Sequence, residues 1–309
     1  MKNAIIICNP IAGSPARRLA ARVQEAAVVL RDGGIDAAVA FTSGSGDGKE
    51  LARKAVSAGR ELIIACGGDG TINEVINGMG PTEVPLAILP AGTANIVGKE
   101  LGLPTSIQKA ARELPHWLPC RMALGRATWG IPETPQQRYF LAVAGIGFDA
   151  RIISQLNLAS KPRLGVAAYA WEALRQMFQY DFPRFQCTVN GTNVSTTFAV
   201  VQRSFRYAGW LRLARATGLR QSQLACCLFN SRRRARYFVY ALAILTRTHH
   251  RLRDVSLLEG QPVVCTAEDP KTSTYFEVDG ELAGQLPVRF EVVPDALTVL
   301  APRRFLSSP

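Results

Sequence analysis

The chain has 309 residues, of which 48% are apolar and 19% are charged. This length predicts two domains with a sizeable core, which excludes a disulfide-stapled miniprotein and a largely disordered chain. The seven cysteines are scattered without CxxC spacing, so we expect reduced thiols and no structural zinc. The sequence shows no signal-peptide pattern and no run of about 20 apolar residues, so we expect a cytoplasmic protein whose membrane contacts are peripheral.

The net charge of +12 is concentrated in one region of the sequence. Residues 200–260 contain twelve arginines and two acids, a net +10, which leaves +2 for the other 248 residues. The cluster Arg232–Arg234 precedes an apolar stretch, and further basic residues follow it at 247–253. This pattern is typical of segments that bind anionic lipid headgroups or nucleic acid phosphates, while a solvated helix with a buried apolar face is the alternative.

The first hundred residues alternate between strand and helix patterns. Apolar runs predict strands at 4–8, 37–41, 62–65 and 86–89, and helical periodicity predicts helices at 19–33, 49–57, 71–77 and from about Thr93. Strands that are apolar on both faces and separated by helices indicate a parallel sheet covered by helices, which is an α/β architecture.

From about Cys120 the sequence changes to short alternating segments, which indicate a mostly antiparallel β-sandwich domain. The predicted strands are 139–144, 185–189, 196–202, 224–229, 262–266, 275–278, 288–292 and 297–300, with helices near 150–180 and 232–248. A linker is predicted at Pro115–Pro119. We therefore expect an α/β domain over 1–118 and a β-sandwich domain over 119–309, with the last residues able to pack back on the first domain.

Two predicted strands end in glycine-rich loops that lead into helices. The strand 62–65 is followed by Gly67–Thr71, and the strand 86–89 is followed by Pro90–Asn95. Glycines let the backbone approach a phosphate closely, and a helix N-terminus offers N–H groups, so this edge of an open sheet suits a nucleotide. Asp69 would repel phosphate by itself and is expected to face Mg²⁺, whereas a plain turn with Asp69 as helix N-cap is the alternative.

Two further glycine motifs are weaker nucleotide signals. Residues 44–50 contain a Gly-Lys pair, but Glu50 stands where a GxxxxGK[ST] loop needs Ser or Thr, so we reject that loop type. Residues 145–150 fit GxGxxA, yet no strand with a terminal acid follows at the expected distance, which favours a tight packing turn.

Three carboxylates, Glu277, Asp279 and Glu281, alternate along the sequence near the C-terminus. In an extended chain they would project to one side, where they could bind a metal or accept a proton. Asp279-Gly280 is also a hairpin signal, so an ordinary exposed turn is the alternative.

Five motifs in order resemble the diacylglycerol kinase catalytic family, and most closely its bacterial soluble lipid kinases. They lie at 9–13, 67–74, 89–95, 145–150 and 279–281. Each motif is common by itself, but the ordered set is specific and covers nearly the whole chain. Ceramide and sphingosine kinases are relatives of the same family.

The resemblance implies an ATP-dependent kinase that phosphorylates a lipid hydroxyl, with diacylglycerol as the expected substrate. The residues implied to contact ATP are Asn9, Thr42, Gly67, Gly68, Asp69, Gly70, Thr71, Asn73, Gly92, Thr93 and Asn95. Mg²⁺ would be organised by Asp69, with Asp279 as a further metal-side residue, and Glu281 or Asp279 would be the general base. We predict Glu281, because an Asp in a turn readily accepts backbone N–H groups that lower its basicity.

Two departures from the family pattern favour a second hypothesis, a catalytically weak lipid-binding or regulatory relative. Ile96 stands where Asp often follows Asn95, and residues 219–224 contain no acid where relatives hold a structural Mg²⁺. An NAD-kinase-like small-molecule kinase would explain Gly67–Thr71 but not Asp279–Glu281. The expected partners are the lipid and an anionic membrane surface bound through residues 200–260, the sequence is compatible with a homodimer, and nucleic acid is not expected.

Overall fold

The computed structural model describes residues 3–12, 16–156, 161–204, 211, 213, 219 and 221–306. They divide into two compact units, one within Met1–Leu124 and Pro294–Pro309 and the other within Gly125–Val293. This division differs from the predicted boundary after residue 118. The predicted linker ends in a long strand, Leu118–Trp129, within which the chain passes from the first unit to the second.

The first unit is built on a parallel sheet with helices between its strands. Its strands are β1 (Ala4–Cys8), β2 (Ala37–Phe41), β3 (Leu62–Gly67) and β4 (Thr82–Pro90), and β5 (Leu118–Trp129) leaves it. Its helices are α1 (Ala16–Asp32), α2 (Asp47–Ser57), α3 (Asp69–Met79), α4 (Ile96–Glu100) and α5 (Ile107–Glu113). The strand order is β2-β1-β3-β4, and all neighbouring pairs are parallel.

The described residues of the second unit form antiparallel strands and α-helices. Its strands are β6 (Gln136–Phe140), β7 (Val143–Gly147), β8 (Phe185–Val189), β9 (Thr192–Thr196), β10 (Phe198–Gln202), β11 (Ala225–Phe229), β12 (Val255–Glu259), β13 (Val263–Ala267), β14 (Tyr275–Val278) and β15 (Glu281–Gln285). Its helices are α6 (Phe148–Gln155), α7 (Lys161–Gln179) and α8 (Arg234–Leu245). Six strands form a sheet in the order β12-β11-β10-β7-β14-β15, while β13, β8 and β9 pair in that order within the ten-stranded sheet that also contains β1–β4.

The last strand returns the chain to the first unit. This strand, β16 (Val288–Ala301), pairs antiparallel with β13 near its start and parallel with β4 near its end, and α9 (Arg303–Leu306) follows. The predicted strands 288–292 and 297–300 are therefore one strand. The predicted fold class, a parallel α/β domain and an antiparallel β domain, is confirmed.

The core of the first unit lies on both faces of the parallel sheet. All six residues of β3 are buried, which explains why its sequence is apolar without alternation. Helix α1 covers the sheet with residues at helical spacing, namely Leu19, Val23, Ala26, Ala27 and Leu30. Apolar runs and helical spacing therefore located these elements correctly.

Several element boundaries differ from the prediction, and at Asn95 and between β6 and β7 the backbone turns where a pattern continued. The helix expected from about Thr93 begins at Ile96, because Asn95 adopts a left-handed conformation with φ of 46°. The predicted strand 139–144 is divided between β6 and β7.

None of the described helices is long and apolar enough to cross a bilayer. All seven cysteines are free and buried. Cys187 and Cys265 face each other across β8 and β13, with their sulfurs 3.7 Å apart.

Candidate active site

The four parallel strands of the first unit end level with one another. In the strand register Cys8 is opposite both Phe41 and Cys66, and Cys66 is opposite Leu89. The next positions along these strands are Asn9, Thr42, Gly67 and Pro90, of which Gly67 and Pro90 are the last residues of β3 and β4. The sheet therefore brings the residues predicted to contact ATP to one edge, the carboxyl edge at which open α/β sheets bind ligands.

The two glycine loops contact each other directly. A Cβ atom on Gly92 would lie 2.4 Å from the Gly68 Cα, so only a glycine fits at that point. The Ala91 N–H also donates to the Gly67 carbonyl at 3.0 Å. Within the second loop the Asn95 side chain accepts the Gly92 N–H and donates to the Gly92 carbonyl, at 3.0 and 2.8 Å. The result is a double loop of bare backbone, which a phosphate can approach closely.

Helix α3 starts from this double loop. Its N-cap residue is Gly68, which has no side chain to cap the first N–H groups, and Asp69 is the first helical residue. The N-cap alternative for Asp69 is therefore wrong. Eleven residues of aligned peptide dipoles point their positive end at the loops, which favours a bound anion.

The Asp69 carboxylate links the start of α3 to α4, the helix that follows the second loop. Its Oδ1 accepts the Val97 N–H at 3.2 Å, and the residue is half-buried. Mg²⁺ in phosphate-transfer sites is usually held by one or two carboxylates together with substrate phosphates and water. Among the described residues no cluster of three or more His, Cys, Asp or Glu could hold a metal. A single carboxylate at this sheet edge matches the donor set by which Mg²⁺ is held together with phosphate oxygens and water.

Asn73 and Thr93 differ in their surroundings. Asn73 lies one turn along α3, is 2% exposed, and accepts a hydrogen bond from Asn77 at 3.1 Å through its side-chain oxygen. Its side chain is thus packed within the helix layer. Thr93 is exposed at the tip of the second loop, and Thr42 is buried at the end of β2.

The third glycine segment, 44–48, is already bonded to a carboxylate of the protein. The Glu74 side chain accepts the N–H groups of Gly46 and Gly48, each at 2.9 Å. It occupies the start of α2, where a phosphate-binding loop of the rejected type would hold its phosphate. Sequence analysis assigned no contact to Glu74, and its position after the Gly67–Thr71 motif was the only available signal.

In the second unit the three alternating carboxylates lie on a hairpin. Asp279 and Gly280 have φ values of 49° and 84° and connect β14 to β15. The interpretation that Glu277, Asp279 and Glu281 project from one extended strand is wrong, because the chain reverses between them. The hairpin alternative is confirmed, although the turn is half-buried.

The Asp279 carboxylate accepts three backbone N–H groups from the segment that joins β6 to β7. Leu141 donates to Oδ2 at 2.9 Å, and Ala142 and Val143 donate to Oδ1 at 2.9 and 3.0 Å. Such bonds stabilise the anion and fix its orientation. The prediction that backbone N–H groups would bind this carboxylate is confirmed, but the donors lie far from it in sequence.

Glu281 pairs with an arginine that sequence analysis missed. Arg138 Nη2 lies 2.5 Å from Glu281 Oε2, and the two side chains are 20% and 34% exposed. The ion pair fixes one carboxylate oxygen of Glu281 and leaves the side chain partly open to solvent. Because Arg138 lies in no motif, nothing in the sequence linked it to Glu281.

A second pair of carboxyl groups lies buried behind the hairpin. A Cβ atom on Gly145 would lie 2.5 Å from Asp149 Oδ2 and 2.7 Å from Glu277 Oε1, so the glycine makes room for both groups. Glu277 accepts the Gly280 N–H at 2.6 Å, and Tyr169 donates to Asp149. Burial, and then the Asp149 carboxylate, raise the pKa of Glu277 well above its usual value. In the GxGxxA motif, Gly145 therefore provides the space in which the Asp149 and Glu277 side chains approach each other.

The acid-free segment 219–224 is held by an arginine. Arg203 is fully buried and donates to the carbonyl groups of Leu219 and Gln221, each at 2.9 Å. A guanidinium thus supplies positive charge to carbonyls of the segment for which the family resemblance implied a structural Mg²⁺. The residues present do not fit that metal, because the described part of the segment offers no carboxylate.

Comparison with known proteins assigns both halves of the chain. Residues 3–126 match the diacylglycerol kinase catalytic domain, and residues 142–301 match the YegS C-terminal NAD kinase beta sandwich-like domain. The chain belongs to the family of lipid kinases that combines these two domains. The predicted class, a phosphotransferase with an alcohol acceptor, is thereby confirmed.

Individual relatives agree over nearly the full length. A diacylglycerol kinase of Mycobacterium tuberculosis is 28% identical over 302 residues, 96% of this chain and 94% of the relative. A diacylglycerol kinase of Bacillus subtilis is 26% identical over 98% of this chain and 97% of its own. The crystal structure of a diacylglycerol kinase from Bacillus anthracis has the same fold, with a TM-score of 0.73, 21% identity and 98% coverage of both chains.

Proposed function

We propose that this chain transfers the γ-phosphate of ATP to the free hydroxyl of diacylglycerol and releases phosphatidic acid and ADP. The observation that carries the proposal is the double glycine loop at the N-terminus of α3, with the Asp69 carboxylate beside it and bonded to the Val97 N–H of α4. Bare backbone, a helix N-terminus and one carboxylate for Mg²⁺ are what phosphoryl transfer requires of a protein, because catalysis there is mostly positioning and charge neutralisation.

In this proposal the first unit binds the nucleotide. The backbone of Gly67–Thr71 and Gly92 holds the phosphates, and Thr42, Thr93 and Asn9 line the same sheet edge. Asn73 and Asn95 support the loops from within, since both side chains bond to the protein itself. When bound, Mg²⁺ at Asp69 neutralises charge on the phosphates.

The second unit supplies the base. The lipid hydroxyl oxygen forms a bond to the γ-phosphorus, the bond from that phosphorus to the bridging oxygen breaks, and the hydroxyl proton moves to Glu281. Since Arg138 engages Oε2, the proton goes to Oε1. Asp279 is bonded by three N–H groups, so we assign it to the orientation of this hairpin.

The basic region is proposed to bring the enzyme to an anionic membrane, where its substrate lies. Its charges are not equivalent: Arg203 is buried, and Arg236 makes two 2.7 Å bonds to Asp254. The exposed members among the described residues are Arg232, Arg233, Arg234, Arg247, Arg251 and Arg253. Arg234 is paired with Asp181, so the other five are the charges available to lipid headgroups.

The test is incubation of the purified chain with labelled ATP, Mg²⁺ and a panel of lipids. Phosphatidic acid is the expected product, and Asp69→Asn should abolish its formation while the circular dichroism spectrum stays unchanged. Labelling of a different lipid would replace diacylglycerol as the substrate. If no lipid is labelled with any divalent metal, yet the chain binds vesicles, the catalytically weak relative is correct, which Ile96 and the arginine-held segment at 219–224 favour.

A further inference from the structure

The second half of helix α7 buries two polar side chains and exposes three large apolar ones, although Met177 is buried as well. Its buried face includes Glu172 and Gln176, 7% and 0% exposed, which hydrogen-bond each other at 2.6 Å. Its outer face carries Trp171, Leu174 and Phe178, which are 69%, 41% and 59% exposed. These three residues are spaced i, i+3 and i+7 and therefore form one stripe along the helix. A helix that faced only water would place its polar residues outward.

Helix α8 continues this apolar surface. It buries Tyr237 and Tyr240 against the protein, yet it exposes Phe238, Leu242 and Leu245 on its other side, the last two to 63% and 53%. The Phe178 and Phe238 rings are in contact, with their centroids 5.5 Å apart. The apolar ridge, which we define as Trp171, Leu174, Phe178, Phe238, Leu242 and Leu245, is thus contiguous across the two helices. Contiguous exposed apolar surface of this kind marks a contact with a protein or a membrane.

Charge next to the ridge points to an anionic partner. Helix α8 contains no acid, and exposed arginines stand just before it, at 232 and 233, and just after it, at 247. The acids near the ridge on α7 and at its end are both paired: Glu172 with Arg175, and Asp181 with Arg234. Two copies of such a surface would bring like charges together, whereas a bilayer with anionic headgroups complements both the arginines and the apolar side chains.

We propose that the apolar ridge inserts into the interfacial layer of an anionic membrane, with Trp171 and Leu242 as its anchors and the flanking arginines on the headgroups. The inference deepens the proposed function, on which it rests, by naming the surface that docks. Aromatic side chains such as Trp favour the boundary between acyl chains and headgroups. Membrane binding then has a hydrophobic and an electrostatic component, and the hydrophobic component is retained at high salt.

The experiment is flotation of the full chain with vesicles of phosphatidylcholine and phosphatidylglycerol at about 0.1 M and about 0.5 M NaCl. The combined variant Trp171→Ser and Leu242→Ser should reduce vesicle binding at least about tenfold at both salt concentrations, because two exposed apolar side chains no longer leave water. The matched control Ile131→Ser removes an equally exposed apolar residue outside the ridge, 61% against 63% for Leu242, and should bind as the wild type does. In addition, acyl-chain bromines should quench wild-type tryptophan fluorescence, and Trp171→Phe should remove most of that quenching.

The possible outcomes separate the surface from the reaction. If the ridge variant floats like the wild type, the arginines dock alone and the ridge proposal is wrong. If the wild type is a dimer in sedimentation, the ridge variant is a monomer and both bind vesicles equally, the ridge is a subunit interface and the proposal is again wrong. Turnover of a water-soluble short-chain diacylglycerol reports the reaction without docking. If flotation depends on the ridge but the short-chain diacylglycerol is not phosphorylated, the docking surface is supported and the proposed function is wrong.

Discussion

Asp279 and Glu281, the two carboxylates at the hairpin turn, are separated by only one residue in sequence, yet they have different surroundings. Three backbone N–H groups bind Asp279, whereas a single guanidinium binds Glu281 through one oxygen. A base needs an oxygen that can take a proton without giving up several strong bonds. By that criterion Glu281 is the better base, and Asp279 is the better anchor of the turn.

Glu281→Gln is therefore expected to lower kcat by roughly 10² to 10⁴, the usual loss for a general base, with ATP binding nearly unchanged. Steady-state kinetics and nucleotide titration measure the two quantities. Asp279→Asn should lower thermal stability as well as activity, because an amide cannot accept all three N–H groups. Should Glu281→Gln keep most of its activity while a well-folded Asp279→Asn is inactive, the two roles are reversed.

Glu277 gives the hairpin a pH-dependent stability. Since burial raises the pKa of its carboxyl group in the folded state, the folded chain holds this proton more tightly than the unfolded chain does. The contribution is fully present below the pKa of the unfolded chain, about 4.3, and is lost as the pH rises toward the folded pKa. Glu277→Gln replaces the protonated carboxyl group with a neutral amide of similar shape. This amide does not titrate.

The free energy of unfolding of Glu277→Gln relative to wild type is expected to rise with pH above about 4.3, by up to about 1.4 kcal/mol per pH unit. Urea unfolding across a pH series measures it. Parallel pH dependences for the two proteins would show that Glu277 does not hold the proton.

At the scale of elements, the nucleotide edge depends on two loops that touch through glycine backbones. Gly92 cannot carry a side chain without displacing Gly68, which is backbone and cannot swing aside. Gly44, in the neighbouring glycine segment, has nothing within 4 Å of the corresponding position. The two glycines therefore form a matched pair for substitution.

Gly92→Ala should destabilise the protein by roughly 1–3 kcal/mol and weaken ATP binding, since overpacking pushes the two loops apart. Gly44→Ala should leave both quantities close to wild type. Denaturant unfolding and nucleotide titration compare the variants, and equal behaviour of the two would contradict the contact between the loops.

The segment 219–224 is held to its unit by the buried Arg203 guanidinium. Arg203→Met leaves two carbonyl groups without these donors and is expected to cost about 2–5 kcal/mol of stability. Arg304→Met, which removes an exposed arginine bonded to the Gly102 carbonyl, is the control and should cost much less.

Because the Arg203 guanidinium, and not a metal, holds the segment 219–224, EDTA should not change the melting temperature of the nucleotide-free wild type. A clear fall in Tm with EDTA would place a structural metal in the molecule after all.

For the whole molecule, the charge distribution determines how it meets a surface. Nearly all of the net charge lies in residues 200–260, and its exposed arginines stand beside the apolar ridge. Headgroup attraction is screened within about 10 Å at 0.1 M salt, so the electrostatic part of binding should fall with ionic strength while the hydrophobic part should not.

Reversal of Arg232 and Arg233 to Glu is expected to weaken binding to anionic vesicles strongly at low salt and little at high salt. Reversal of Arg17 and Arg18, exposed residues of α1, changes the net charge equally and should have a smaller effect. Flotation at several salt concentrations measures this, and equal binding of the wild type to neutral and anionic vesicles would contradict the electrostatic contribution.

Features that arise from a local sequence pattern could be predicted from the sequence. Continuous apolar runs located β1, β2 and β3, helical spacing located α1, and the two glycine loops predicted after strands do lie together at one edge of the sheet. These predictions succeed because burial on both faces, helical periodicity and bare backbone each leave a mark within a few consecutive residues. The order of the motifs then sufficed to predict the family of lipid kinases.

Contacts between side chains that are far apart in sequence became visible only in the tertiary structure. Arg138 and Glu281 are 143 residues apart in sequence, and Asp279 and its first N–H donor are 138 apart. The convergence of Glu277 and Asp149 over Gly145, the arginine at segment 219–224 and the apolar ridge likewise join distant segments. No local pattern encodes such contacts, because they follow from how strands and helices pack, and packing depends on the whole chain at once.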